Sequence, residues 1–257
     1  YHLRGFWDLR AELLMGWLIG VACVAGIARL SWLTTRRIVT TAILTAFFSG
    51  LLWSSHTFYF HFFSVTFERY LPQLLLLLVL ISFLRYGVRW STIVFASLAS
   101  SMAQFSYASG VVVWPLVLGF IVLSEPRAAA RNAPKIIFFL LSAVPSFWLF
   151  FNDYIRPDHH TALIEILNAS PSDMFMYLLH FLGNGFTSKS DRIAAFGAFF
   201  LGMYLLLVAR TFLSRKEDPQ WKERVAWIVV GGYSLAQAVL SMIGRLPMGI
   251  GHAQRLD

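Results

Sequence analysis

Apolar residues in this chain come in runs of 14 to 21 positions, separated by short clusters of charge and turn-forming residues. Eight such runs stand out, at 13–33, 38–53, 71–84, 91–106, 110–124, 135–151, 193–213 and 225–243. A helix that crosses a bilayer unaided needs about 20 apolar residues, and fewer where the membrane thins or the helix packs among others. The pattern therefore predicts an all-α polytopic transmembrane bundle of about eight segments. The pair 91–106 and 110–124 can also be read as one long interrupted segment.

Charge decides between these readings. With the N-terminus outside and all eight runs crossing, 13 of the 21 Lys and Arg fall on the inner side with only 4 of the 13 acids. The outer side holds the other 8 cations and 9 acids. Net charge is then 13 − 4 = +9 inside and 8 − 9 = −1 outside, as expected when cytoplasmic loops concentrate Lys and Arg. Joining 91–124 into one crossing would move the basic EPRAAARNAPK stretch (125–135) outward and spoil that bias.

Composition reinforces the class. The chain is 58% hydrophobic and only 13% charged, about half the charged fraction of soluble domains. The formal net charge of +8 reads as topology rather than as a nucleic-acid surface, and no nucleic-acid partner is expected. Membrane lipids are the expected surroundings, in a multi-pass protein of a bacterial inner membrane. The single cysteine, Cys23, lies inside an apolar run and offers no disulfide framework. No fixed-period repeat or low-complexity linker divides the chain, so one domain over 1–257 is expected. The chain opens without an initiating Met and stops within a motif, so it reads as part of a longer protein.

This topology gathers chemically able residues on the outer face. The loop WSSHTFYFHFFSVTFERY (53–70) carries His56, His61, Glu68 and Arg69 among aromatics that could stack on sugar rings. Two histidines five apart fall on different helix faces, and no metal site is expected. The Asp158-His159-His160 cluster reads as a solvated loop. The long loop 152–192 contains MFMYLLHFLGNGF (174–186), too short to span and rich in aromatics. It predicts a helix lying in the membrane interface, ended by Gly183 and Gly185. In RWSTIVFASLASSMAQF the small residues Ala96, Ser97, Ala99, Ser100, Ser101 and Ala103 would let helices approach closely. The SYASG turn follows, and then VVVWP, where proline is tolerated early in a helix. The basic inner clusters read as topology determinants that can also meet anionic headgroups.

The last stretch, SMIGRLPMGIGHAQRLD, places Arg245, His252 and Arg255 among permissive glycines. An arginine at the membrane surface can snorkel to water, pair with an acid, or hold a phosphate through its guanidinium, and glycines here let backbone N–H groups approach such an anion closely.

Three elements occur in order: S-x-A-Q-F-S-Y-A-S-G-x-x-x-W-P, then Y-L-L-H-F-L-G-N-G, then G-R-x-x-x-G-x-x-x-A-x-x-R. Together they resemble a group of polytopic bacterial membrane proteins related in appearance to C-fold (GT-C type) glycosyltransferases, over most of residues 50–257. The chain departs from that group at Gly185, where proline is usual, and at Gln254-Arg255-Leu256, where serine-arginine-tyrosine is usual. The resemblance implies sugar transfer from a polyprenyl-phosphate donor to a glycan acceptor on the outer face, with no further cofactor. It also implies an acidic base on a first outer loop. Asp8, Glu12 and Glu68 are the acids to consider, and the chain begins beyond the first helix of that pattern. Arg245, and next Arg255, would hold the phosphate. A lipid-linked glycan transporter and a non-catalytic membrane subunit are the alternatives.

Overall fold

A computed structural model describes residues 9–52, 66–125, 128–152, 170–184, 186–187, 190–214 and 219–245. Every element among these residues is helical: α1 (Leu9–Thr35), α2 (Ile38–Leu52), α3 (Thr66–Tyr86), α4 (Trp90–Ser106), a 3-10 turn (Ala108–Val112), α5 (Val113–Ser124), α6 (Ala129–Asn152), α7 (Pro171–Gly183), α8 (Ser190–Leu213) and α9 (Trp221–Arg245). Each of the eight apolar runs became a helix. Several helices extend past their run into flanking charge, as α6 does through Arg131 and Lys135. Arg, Lys and Glu are good helix formers, so apolarity marks where a helix meets lipid but not where it ends.

Five helices are long and apolar enough to cross a membrane: Arg10–Thr35, Glu68–Tyr86, Ala130–Asn152, Arg192–Leu213 and Trp221–Ile243. Large apolar side chains line their outer surfaces, among them Leu18, Leu141, Trp148 and Leu206, all more than half exposed. That surface is stable only against lipid, and the chain is an all-helical integral membrane protein. The other apolar helices are shorter, α2 at 15 residues and α4 at 17.

The chain divides into two compact units, Tyr1–Val113 and Trp114–Asp257. In the first, α1 and α3 lie side by side and run in the same direction. The Cys23 thiol meets the Tyr70 carbonyl at 3.6 Å, and three residues further along α1, Gly26 faces Leu77. Helices α1 and α2 are joined by two residues, of which Arg36 takes a left-handed conformation (φ 54°). Gly87 (φ 72°) does the same after α3, where an L side chain is disfavoured and glycine is not. Thr92 then fastens the start of α4, its hydroxyl donating to the Gly87 carbonyl at 2.9 Å.

Helix α4 buries Thr92, Ile93, Ala96, Ser97, Ala99, Ser100, Ala103 and Gln104, a 3–4-residue spacing that makes one stripe. The small residues do form a packing face, as their density predicts. The helix stops at Tyr107, whose extended backbone (φ −157°, ψ 149°) separates it from the 3-10 turn. Residues 91–124 are therefore not one uninterrupted helix. Within the turn, Gly110 abuts the Ala103 carbonyl so closely that no Cβ would fit.

In the second unit α5 and α9 are antiparallel. Trp221, at the start of α9, donates its indole N–H to the Leu123 carbonyl near the end of α5 at 2.6 Å. Leu116, near the start of α5, faces Gly232 further along α9. Helices α8 and α9 are antiparallel too. The Tyr204 ring lies over Gly231, and its hydroxyl donates to the Ile228 carbonyl at 3.0 Å. Trp114 and Phe139 pack α5 on α6, with ring centroids 4.8 Å apart.

Candidate functional site

In the second unit α7 carries the Y-L-L-H-F-L-G-N element, and its sequence dictates how it sits. Pro171 opens the helix, where a missing N–H costs nothing. Tyr177, Leu179, His180 and Gly183 then fall on one buried face. Gly183 lies against the Ile193 carbonyl of α8, and Gly197 of α8 lies against the Leu179 carbonyl. The two backbones touch because neither residue has a side chain. Gly183 is the last residue of the helix, as its sequence suggests, and also the crossing residue; Asn184, in ordinary right-handed conformation, follows it, and Gly185 lies outside the described residues. The buried face of α7 packs on both α8 and α9.

Tyr177 is fully buried, and its phenol shares a 3.0 Å hydrogen bond with the Ser241 hydroxyl of α9. Met174, Phe181 and Met242 close around it. A buried phenol needs such a partner, because leaving it unpaired costs about 1–3 kcal/mol. Arg245 is the last residue of α9, four positions and therefore about 6 Å beyond Ser241. Tyr177, in the second element of the sequence pattern, is thereby tied to the last turns of α9, which lead into Gly244 and Arg245, the first two residues of the third. His180, one turn beyond Tyr177, is buried, and burial pushes its pKa below the ordinary histidine value. It is a neutral imidazole near neutral pH, suited to hydrogen bonding rather than to holding an anion.

In the first unit the start of α3 meets the end of α4. The Arg69 guanidinium sits over the Tyr107 ring, 5.9 Å from its centroid, a cation–π geometry worth about 0.5–1 kcal/mol where partly exposed. Glu68 precedes it in the first turn of α3. The start of α3 and the SYASG turn, read separately in the sequence, thus share one end of this unit. Glu12 lies in the first turn of α1, and one of its carboxylate oxygens is buried without a hydrogen bond. Asp8, His56, His61, His252 and Arg255 lie outside the described residues, and for Arg245 the description covers the backbone alone.

A third cluster escaped the sequence reading. At the end of the second unit where α5 stops and α9 starts, Glu125 accepts from Lys222 on one oxygen and from Asn132 on the other at 3.3 Å. Asn132, only 2% exposed, accepts in turn from Lys135 at 3.0 Å. Partial desolvation pushes the Glu125 pKa up. The hydrogen bond and charge of Lys222, helped by Asn132 and Arg131, outweigh that and hold it below the usual value. A single carboxylate flanked by alternating residues of a basic loop looks incidental in one dimension; only the fold shows it joining three helices.

Comparisons of the chain with protein-family models, with curated proteins and with solved structures find no match.

Proposed function

We propose that the chain is a membrane glycosyltransferase-like protein that transfers a sugar from a lipid-phosphate donor on the extracytoplasmic face. The observation that carries the reading is the Tyr177–Ser241 link. It joins a short buried-face helix, which carries the second element, to the part of α9 that ends in Arg245, which supports bringing these parts of the resemblance together in one site. The cation–π pair of Arg69 and Tyr107 adds a second outward cation held by an element of the same pattern.

In this reading the protein sits in a bacterial inner membrane, crosses it eight times and starts outside. A carboxylate takes the proton of the acceptor hydroxyl, with Glu68, Glu12 and Asp8 as the candidates. The hydroxyl oxygen forms a bond to the anomeric carbon as the carbon–oxygen bond to phosphate breaks. The electron pair leaves with the lipid phosphate, and Arg245 neutralises that charge. Arg255 and His252, on the same terminal stretch, complete the phosphate contacts, while His56, His61 and Arg69 line the sugar's approach. Arg245→Ala should abolish transfer while leaving membrane insertion intact, and an unchanged product glycan would remove the residue from this role.

The break between α4 and α5 favours one other reading, a lipid-linked glycan transporter, because transporters build sites on interrupted helices. Transport assays separate the two. An enzyme gives a new glycosidic bond in detergent with no membrane to cross, and a transporter gives none.

A further inference from the structure

The Glu125 cluster has a use beyond joining helices. Helices α6 and α9 begin here and α5 and α8 end here, so the cluster lies where three of the membrane-length segments reach water. Glu125 has both oxygens engaged by Lys222 and Asn132. The nearby cations are Arg131, Lys135, Lys222 and Arg224, with Glu223 the other acid among the described residues of these two helix starts. Lys222 remains 44% exposed on the water side despite its ion pair. Arg224 is steadied by the Ser214 hydroxyl at 3.1 Å, and Trp221 by its bond to Leu123 and by the edge of Phe212.

Directly on the membrane side the surface turns apolar. Ile137 and Leu141 of α6 are more than half exposed, and Leu213, at the end of α8, is 88% exposed. Cations fixed at the head-group level above bare apolar faces complement one kind of molecule: a phosphodiester with acyl chains.

We propose that this end of the second unit binds an anionic phospholipid, with Arg131, Lys135 and Lys222 facing its phosphodiester and the exposed faces of α6 and α8 covered by its chains. Asn132 and Glu125 act as positioning residues. They fix Lys135 and Lys222 at one edge of the helix junction, and an ordered pair of cations selects a headgroup better than two mobile ones. The proposal rests only on the chain's being a membrane protein and not on sugar transfer.

The full chain is reconstituted in phosphatidylcholine or in an equal mixture with phosphatidylglycerol, extracted in mild detergent, and its retained lipid is weighed by mass spectrometry. Phosphatidylglycerol should be enriched over phosphatidylcholine. Arg131→Gln with Lys135→Gln should cut the enrichment by about fivefold per cation. The charge-conserving pair Arg131→Lys and Lys135→Arg should keep most of it, as should Arg36→Gln with Arg37→Gln in the other unit. Three results overturn the proposal: no enrichment in the unaltered chain, an equal loss in the Arg36/Arg37 variant, or full displacement of the lipid by inorganic phosphate. The first and third use the unaltered chain and so do not depend on any variant folding.

Discussion

A single carboxylate shows how a residue's worth depends on its neighbours. Glu125 is held ionised by Lys222, Asn132 and Arg131 against the desolvation that opposes it. Its folded pKa lies below the unfolded value of about 4.5. Its contribution to stability is therefore present in full above that pH and is lost as the pH falls through the folded value. Partial exposure limits the gain to about 1 kcal/mol at neutral pH. Glu125→Gln should lower the unfolding midpoint at pH 7 and narrow the gap between midpoints at pH 7 and pH 3.5. Thermal unfolding in one detergent at both values measures this, and an unaltered gap would mean that other carboxylates carry the acid sensitivity. Nothing in the sequence marked this residue. Its partners lie 7 and 97 positions away, and long-range pairs leave no periodic trace.

At the scale of elements, the positions of helices were legible because lipid imposes long apolar runs, and all eight runs are helices. How they touch was legible only where composition changes locally, as in the small-residue stripe of α4. The crossing of α7 on α8 was not foreseen, because glycine has two uses, ending a helix and letting backbones meet, and the sequence reading used only the first. Their sign under mutation separates those uses. Alanine is the better helix former by about 1 kcal/mol, so Gly202→Ala on α8, where a Cβ would meet nothing within 4 Å, should be neutral or stabilising. Gly197→Ala, one turn and a residue earlier, sets a Cβ into the Leu179 carbonyl, and Gly183→Ala sets one into that of Ile193. Backbone cannot yield as a side-chain tip can, and overpacking of this kind costs about 1–3 kcal/mol or more. Each should lower the midpoint of unfolding and expose α7 to protease. Equal behaviour of Gly197→Ala and Gly202→Ala would rule out the close crossing.

For the whole molecule, helix direction within each unit bears on the proposed eight crossings. Helices α1 and α3 are both long enough to span and run in the same direction side by side. In the proposed topology the chain recrosses between these two helices, and α2 is the apolar helix assigned to do it. Its 15 residues give about 22 Å, short of a roughly 30 Å hydrocarbon core, which is why length alone counts five spans. A short helix can cross by local thinning of the bilayer at modest cost. In the second unit α5 and α8 run toward the Glu125 end while α6 and α9 start from it, the alternation that four crossings need. The proposed eight crossings would put 35–37, 86–89, 126–128 and 215–218 on one side, and 53–65 and 153–170 on the other. The lone thiol, Cys23, is buried, so Cys23→Ala supplies a background in which single cysteines can be placed at Arg37, Tyr86 and Lys216, and at Ser55 and Asp158. A thiol reagent that cannot cross membranes, applied to sealed vesicles of known orientation, should label the first three from one side and the last two from the other. Five crossings, with α2 lying on the surface, would instead put Arg37 and Ser55 on the same side.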